Sequence, residues 1–329
     1  MLKSFTLALF ALLGLDARAQ DYKSGHLIVG CSILDMRGNH LKTFPGRVCQ
    51  FFENGSYITG IRQTLRFVNK SDAVLWELPT VAHHTLNLSA DKKRILVLDR
   101  VDFKSGEKIL KEDLFRILDR DGKTLAESPA HVLMSQLKSL GIKYSDQDLT
   151  HFNSFYEIPE LGPGLELPDY VKPGNLILNA RFLGIFFVSG DLKKILHFLP
   201  MKSSVKNNIH DVQVTSAGKL FYFNNRVATE KGDEYFSSVE EFDFASQKSQ
   251  NLFEASPREI FFSPDGGGAQ RLDKEHLLFS HQLTGSYVYS LKDKKILMSI
   301  TKTHSPAGES FPLQTAKAEN LTSFLKFRK

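Results

Sequence analysis

His84-Thr85-Leu86-Asn87-Leu88, then a polar turn, then Ile95-Leu96-Val97-Leu98, reads as a β-hairpin. Its first arm alternates apolar and polar residues, as a strand with two unlike faces does. Its second arm is apolar throughout, as a strand buried on both faces must be. The pattern recurs along the chain. Val48-Cys49-Gln50-Phe51-Phe52 leads to Tyr57-Ile58, and His151-Phe152-Asn153-Ser154-Phe155 leads to Leu176-Ile177-Leu178. His210-Asp211-Val212-Gln213-Val214 leads to Leu220-Phe221-Tyr222-Phe223, and Gly268-Ala269-Gln270-Arg271-Leu272 to Leu277-Leu278-Phe279.

A second hairpin type alternates with the first, with an apolar strand, a polar turn and a return strand. Leu65-Arg66-Phe67-Val68 to Val74-Leu75-Trp76-Glu77-Leu78 is one copy, and Ile117-Leu118 to Leu125 across Asp121-Gly122 is another. Others start at Ile185, Val239 and Tyr287. Asp-Gly and Lys-Asp-Lys turns suit tight hairpins. One hairpin of each type makes a four-stranded blade, and self-similarity at a period of about 50 residues marks a propeller. Pairing the hairpins in order gives five blades over 48–299, and the pieces at 30–39 and 311–327 predict a sixth. The expected fold is all-β, a six-bladed β-propeller of four-stranded antiparallel blades. Its ring is closed by the N- and C-terminal segments, which leaves no open edge. Two interruptions, 103–148 with a short helix near His131–Leu137 and 159–174, are expected to project from one end of the ring as loop variation or a lid.

Lys3, the apolar run Phe5–Leu13 and Ala17-Arg18-Ala19 have the three parts of a secretory signal. Residues 1–19 are therefore expected to be a signal peptide and 20–329 a single propeller domain, periplasmic or secreted. The apolar run is shorter than the roughly 20 residues a spanning helix needs, so no membrane span is expected. Ile28-Val29-Gly30-Cys31 resembles a lipoprotein box, but residues 21–26 separate it from the apolar run, the wrong arrangement. The formal charge of +5 is mild and the basic residues are scattered, which argues against nucleic acid and weakly favours small anions. Cys31 and Cys49, the two cysteines, fit either a bridge or a pair of buried thiols, and they form no zinc pattern.

His84, His151 and His210 each stand at the start of an innermost strand, in three successive blades. Such starts ring one mouth of the central channel. Arg181, just past Leu176-Ile177-Leu178-Asn179-Ala180, is expected near the same axis. A single histidine in a β-protein is more often structural than catalytic; a shared register in three blades points the other way. Three imidazoles and a guanidinium suit an anion and a nucleophile. Apart from Asp211 no carboxylate is expected there, which serves metal chelation and glycosidase chemistry poorly. His26, His40, His131, His197, His276, His281 and His304 lack the register and read as surface or packing residues.

Asp148-Leu149-Thr150-His151-Phe152-Asn153-Ser154 resembles the D-x-T-H-x-N-S segment of the bacterial aryl-sulfate sulfotransferases. Asn179-Ala180-Arg181 resembles that family's S-x-R strand end, and His210-Asp211 with Phe223-Asn224-Asn225 its Q-H-D and F-D-N segments. Ala82-His83-His84 is similar to its H-H-D, and Gly267-Gly268-Ala269-Gln270-Arg271-Leu272 to its G-x-A-Q-R-L. Ile209, Thr85, Ala180 and Asn224 depart from the pattern, and the family's long N-terminal extension is missing. The resemblance implies sulfuryl transfer from an aryl sulfate to a phenol through a sulfohistidine, with no nucleotide donor and no cofactor. His210 would be the nucleophile, and His84, His151 and Arg181 would hold the sulfate oxygens. The rival readings are a non-catalytic propeller that binds an anion or a protein at the channel mouth, and a metal-dependent hydrolase, which would need converging hard oxygen ligands. A quinone-dependent dehydrogenase is disfavoured because Trp76 is the only tryptophan. Expressed with an export pathway, the chain should be recovered with Gln20 as its first residue; N-terminal sequencing that begins at Met1 would contradict the signal reading.

Overall fold

A computed structural model describes residues 26–29, 31–35, 39–46, 48–61, 63–105, 108–139, 151–181, 183–200, 209–228, 235–253, 266–281, 285–300 and 316–319. The expected signal peptide lies outside them. Five four-stranded antiparallel blades are each built from consecutive strands. We call them blades B to F in chain order. Blade B holds β4 (Val48–Phe51), β5 (Tyr57–Ile61), β6 (Thr64–Val68) and β7 (Val74–Pro79). Blade C holds β8 (Ala82–Leu88), β9 (Ile95–Ser105), β10 (Lys108–Leu118) and β11 (Thr124–Pro129). Blade D holds β12 (Phe152–Glu157), β13 (Leu176–Ala180), β14 (Gly184–Val188) and β15 (Ile195–Pro200). Blade E holds β16 (Ile209–Val214), β17 (Lys219–Ala228), β18 (Tyr235–Asp243) and β19 (Lys248–Asn251). Blade F holds β20 (Gly268–Arg271), β21 (His276–His281), β22 (Gly285–Ser290) and β23 (Lys295–Ile300).

A further four-stranded sheet is composite. It contains β1 (His26–Val29), β2 (Ser32–Asp35) and β3 (His40–Thr43), and its order is β24-β1-β2-β3, where β24 is Ala316–Glu319. Where six blades of similar make were expected, there are five continuous blades and this composite sheet. Its make-up also differs from expectation. The N-terminal segment supplies three strands rather than one hairpin, and the C-terminal segment supplies the short β24, which carries no large apolar residue to signal a strand. The rest of 301–327 lies outside the described residues.

Side-chain alternation explains how the blades stack. Along β13, Leu176 and Leu178 face blade C, where they pack with Leu96, Leu98, Phe115 and Ile117. Ile177, between them, faces blade E and packs with Ile209, Val212, Val214 and Leu220. A strand with a neighbouring blade on each side has no polar face, so its sequence is apolar throughout. Phenylalanines fill the space between sheets. The rings of Phe115 and Phe152 meet edge to face at 4.8 Å, and Phe187 and Phe244 do so at 5.9 Å.

The interruptions turn out differently from each other. Much of 103–148 is blade: β9 and β10 are paired in unbroken register from Lys108↔Ser105 to Leu118↔Ile95. Charged residues such as Asp102, Lys104, Lys108 and Lys111 hide that hairpin in the sequence by breaking its alternation. Helix α1 (Ala130–Ser139) follows β11, with Ala130, Leu133, Met134 and Leu137 buried at helical spacing. Its first turn is held by Glu112, whose Oε1 accepts the backbone N–H of His131 at 2.7 Å. Gln136 bonds the backbone of Lys193 and Ile195, which covers part of the outer edge at β15. The 159–174 segment joins β12 to β13 at the opposite end of the blades from the β9–β10 turn, so the two do not share one end. It folds back as a strap: Gly162 N–H reaches Ser216 O at 2.8 Å, and Tyr170 stacks on His197 at 4.0 Å. The cysteines are bridged, tying the β1–β2 turn to β4 beside Phe44, Phe51 and Tyr57. Closing a loop with a separation of 18 residues contributes about 3 kcal/mol. No helix among the described residues is long and apolar enough to cross a membrane.

The innermost strands are bound to each other by side-chain amides. Gln50 of β4 donates Nε2–H to Leu86 O of β8 (2.5 Å), and Asn87 of β8 donates to Phe155 O of β12 (2.8 Å). Asn153 of β12 donates to Ile209 O of β16 (3.0 Å), and Gln213 of β16 to Ala269 O of β20 (2.9 Å). Each link satisfies a backbone acceptor on a strand edge that no further strand covers. Replacing Gln50 by leucine keeps the volume and strands the buried Leu86 carbonyl. Urea denaturation should then show a loss of about 1–3 kcal/mol; an unchanged midpoint would mean that the link carries no stability.

Candidate functional site

The strands β8, β12 and β16 all begin at the same end of the blades. Ala82 pairs with Asp99, Phe152 with Ala180, and Ile209 with Asn224. His84 lies in β8, His151 immediately precedes β12, and His210 is the second residue of β16. Arg181 follows β13 and donates its backbone N–H to His151 O at 2.8 Å, so the two residues face each other across the hairpin end. Asn153, bonded to Ile209 O, ties this pair to the strand that carries His210. The sequence thus placed all four residues at one end. The side chain of His84 is outside the described set, and its strand position is what is known.

Each of these three strand pairs is irregular within a few residues of its histidine. The register shifts between Ala82 and Leu86, between Phe152 and Ser154, and between His210 and Gln213. The pairs β4–β5, β20–β21 and β1–β24, which carry no such histidine, run without a shift. A bulge turns the strand locally and re-aims the side chains beside it. The extra residue in β16 involves Asp211, whose φ of 54° is uncommon for a non-glycine residue.

His210 is 5% exposed, and its Nδ1 lies 2.5 Å from Asn225 Oδ1. Asn225 is fully buried, and its Nδ2 donates to Gly266 O. A carbonyl oxygen only accepts, so the Gly266 contact fixes which end of the amide faces the histidine. Asn225 therefore accepts the Nδ1–H of His210, and the lone pair of the neutral ring lies on Nε2. The glycine run 266–268 permits this approach. Gly266 and Gly267 have φ of 68° and 114°, and a Cβ at Gly267 would sit 2.7 Å from both Phe223 and Ser280 O.

The roles of several contributors escaped the sequence reading. Asn225 is two residues beyond Phe223, the pairing partner of His210, and so shares its face of the sheet. That spacing is the signal that could have found it. Two buried carboxylates also stand at the strand starts, where only Asp211 was expected. Asp99 accepts the Val81 N–H at 2.7 Å and pairs with Arg116 at 3.3 Å; Asp113 accepts the Phe152 N–H at 2.8 Å. Burial pushes Asp99 above the ordinary carboxylate range, partly offset by its bond from Val81 and by Arg116. Neither acid carries a signal in the sequence, and only the fold reveals them as backbone anchors. Among the described residues no cluster of histidine, cysteine, aspartate or glutamate has the makings of a metal site.

Two hairpins extend past the blade ends on this same side. Beyond Asp99, β9 runs on through Ser105, about 20 Å of strand; beyond Asn224, β17 continues to Ala228, about 13 Å. They belong to blades C and E, on either side of the blade that carries His151 and Arg181. Elsewhere the corresponding turns are short, as between Ala180 and Gly184. The other histidines with described side chains serve packing or surface contacts. His131 bonds Glu112, His276 bonds Asp273 and His40 bonds Thr43, while burial lowers the pKa of His197 beside Tyr170.

The assigned tautomer has a direct test. In long-range 1H–15N spectra of the protein, His210 should show a protonated Nδ1 and a bare Nε2, and Asn225→Leu should abolish that single-tautomer signature. An Nε2-protonated ring in the unaltered protein would contradict the assignment.

No family model matches the chain, and no curated protein does. Among solved structures, a protein of unknown function from Bacteroides caccae is similar at 10% identity with a TM-score of 0.53, covering 90% of this chain and 99% of that one. The WD40 repeats of RRP9 align over 80% of this chain and 66% of theirs, at 10% identity and a TM-score of 0.47. At such identities the likeness concerns the fold alone, and the chain is a β-propeller with four-stranded antiparallel blades.

Proposed function

We propose that the chain transfers a sulfuryl group from an aryl sulfate to a phenol, through a sulfohistidine on His210. One observation carries the reading: a buried histidine with its basic nitrogen fixed on Nε2 stands at the same strand end as His151 and Arg181. In the first step the Nε2 lone pair attacks sulfur, an N–S bond forms, and the S–O bond to the aryl group breaks. The aryl oxygen leaves with the bonding electrons and ends as a phenol. In the second step an acceptor phenol oxygen attacks the same sulfur, the N–S bond breaks, and the acceptor's proton balances the one taken up by the first phenolate. No electron is gained or lost, so the steps balance without an oxidant or a reductant.

The supporting residues suit these steps. Arg181 offers a planar fork of donors to sulfuryl oxygens, which helps most as charge builds on them. His151 and His84 complete the anion site in the resemblance to aryl-sulfate sulfotransferases. Asn225 holds the nucleophilic ring in one orientation, so the lone pair is aimed before substrate binds. We further read the composite sheet as the sixth blade that closes the ring, since β24 lies against β20 and β21 while the Cys31–Cys49 bridge holds the other side to blade B. That bridge also supports an oxidising, extracytoplasmic location for the protein.

The test is sulfuryl transfer from a nitrophenyl sulfate to phenol, beside His210→Ala. Nitrophenolate release should depend on the acceptor phenol and fall at least about 1,000-fold in the variant. Absence of turnover over a panel of aryl sulfates, with aryl sulfate still bound, would instead favour a propeller that binds an anionic ligand at the channel mouth.

A further inference from the structure

Asp211 follows His210 directly, yet its side chain has no part in the proposed chemistry. It is 5% exposed, and it adopts a left-handed backbone conformation at the bulge of β16. Such a conformation costs about 1–2 kcal/mol in a residue with a Cβ, so something must hold it. The carboxylate supplies the hold. Oδ1 accepts the hydroxyl of Tyr156 from β12, and Oδ2 accepts the backbone N–H of Ala269 from β20 at 2.9 Å. Three consecutive blades are thereby joined at one side chain.

Tyr156 is suited to be a permanent donor. Burial, and then the Asp211 charge beside it, push its hydroxyl well above the ordinary tyrosine range, so the proton stays on the tyrosine. The Asn87 amide also engages the Tyr156 hydroxyl, while donating to Phe155 O. The tyrosine is thus fixed from blade C as well.

We propose that Asp211 is a positioning residue for His210, with Tyr156 as its anchor. Between His210↔Phe223 and Gln213↔Phe221 the strand holds two residues opposite Tyr222 alone. Which way that surplus is taken up decides where the His210 ring points. With Asp211 pinned on both oxygens, the surplus is taken up in one way, and the ring meets Asn225. Without the pin, the bulge has other conformations, and Nε2 leaves the line of attack. The inference rests on the reading of His210 as the group that accepts the sulfuryl moiety.

Three variants separate the possibilities. Tyr156→Phe removes the anchor and little volume. Asp211→Gly keeps a residue at ease in the left-handed conformation but removes the carboxylate. Asp211→Asn keeps a side chain that accepts from Ala269 and donates to the tyrosine oxygen. Tyr156→Phe and Asp211→Gly should each lower kcat about 10- to 100-fold with KM for nitrophenyl sulfate within about twofold, as a displacement near 1 Å would. Asp211→Asn should recover most of the loss. In parallel, the Nδ1 proton of His210 should be sharp in the unaltered protein and in Asp211→Asn, and broadened or shifted in the other two. Wild-type kcat in Asp211→Gly, or an unchanged Nδ1 signal in both damaging variants while they melt as the parent does, would overturn the proposal. If the parent transfers no sulfuryl group at all, the functional reading fails by itself, and the Nδ1 signal still decides whether Asp211 positions His210.

Discussion

An innermost propeller strand has one edge with no strand beside it, and its backbone polar groups on that edge need partners. Here the answer is a succession of buried side-chain amides. Gln50, Asn87, Asn153 and Gln213 each reach from one innermost strand to a carbonyl of the next. A buried carbonyl left without a donor costs about 1–3 kcal/mol, so these four contacts are a condition of the architecture. They also set the relative height of neighbouring strands. Asn153 follows His151 by two residues and Ile209 precedes His210, so the link that joins blades D and E also ties together the strands that carry the two histidines.

On that scaffold the site departs from regularity in one consistent manner. The innermost pairs that begin beside or carry His84, His151 and His210 are bulged within a few residues of the histidine, and the pairs without one are regular. Bulges and a left-handed aspartate are unfavourable locally and persist where surrounding contacts hold them. The contacts here are specific: Asp113 on Phe152, Tyr156 and Ala269 on Asp211, Gly266 on Asn225. Each ends on a backbone group or a buried side chain, so this end of the blades is held by fixed polar contacts. A site with donors fixed before substrate arrives spends no binding energy on their reorganisation.

The sequence announced the blades because a strand between two blades must be apolar, and Ile95-Leu96-Val97-Leu98 can hardly be anything else. A short helix was expected near His131–Leu137, and the helix runs Ala130–Ser139. The composite sheet was harder. Ala316–Glu319 contributes a single strand whose partner β1 is far away in the chain, and a four-residue strand of small and charged residues has no periodic signature. The extended β9–β10 hairpin read as an insertion for a related reason, since charged residues dominate it. At the site, the histidine register followed from strand starts alone. The role of Asn225 needed the bulge and the glycine run, which depend on the partner strand and the next blade. Asp99 and Asp113 went unnoticed because burial of an acid is decided by what lies across the sheet. The cysteine spacing left bridge and thiols equally open until the β1–β2 turn was placed beside β4.

The proposed function stands on covalent chemistry at one atom of His210. Mixing the protein with a nitrophenyl sulfate in the absence of any phenolic acceptor, quenching under alkaline conditions and mapping peptides by mass spectrometry would test it. The expected result is the added mass of one sulfuryl group on the peptide that contains His210, lost again when phenol is supplied before the quench. Nitrophenolate release with the group on a different residue, or with no modified peptide at all, would contradict it.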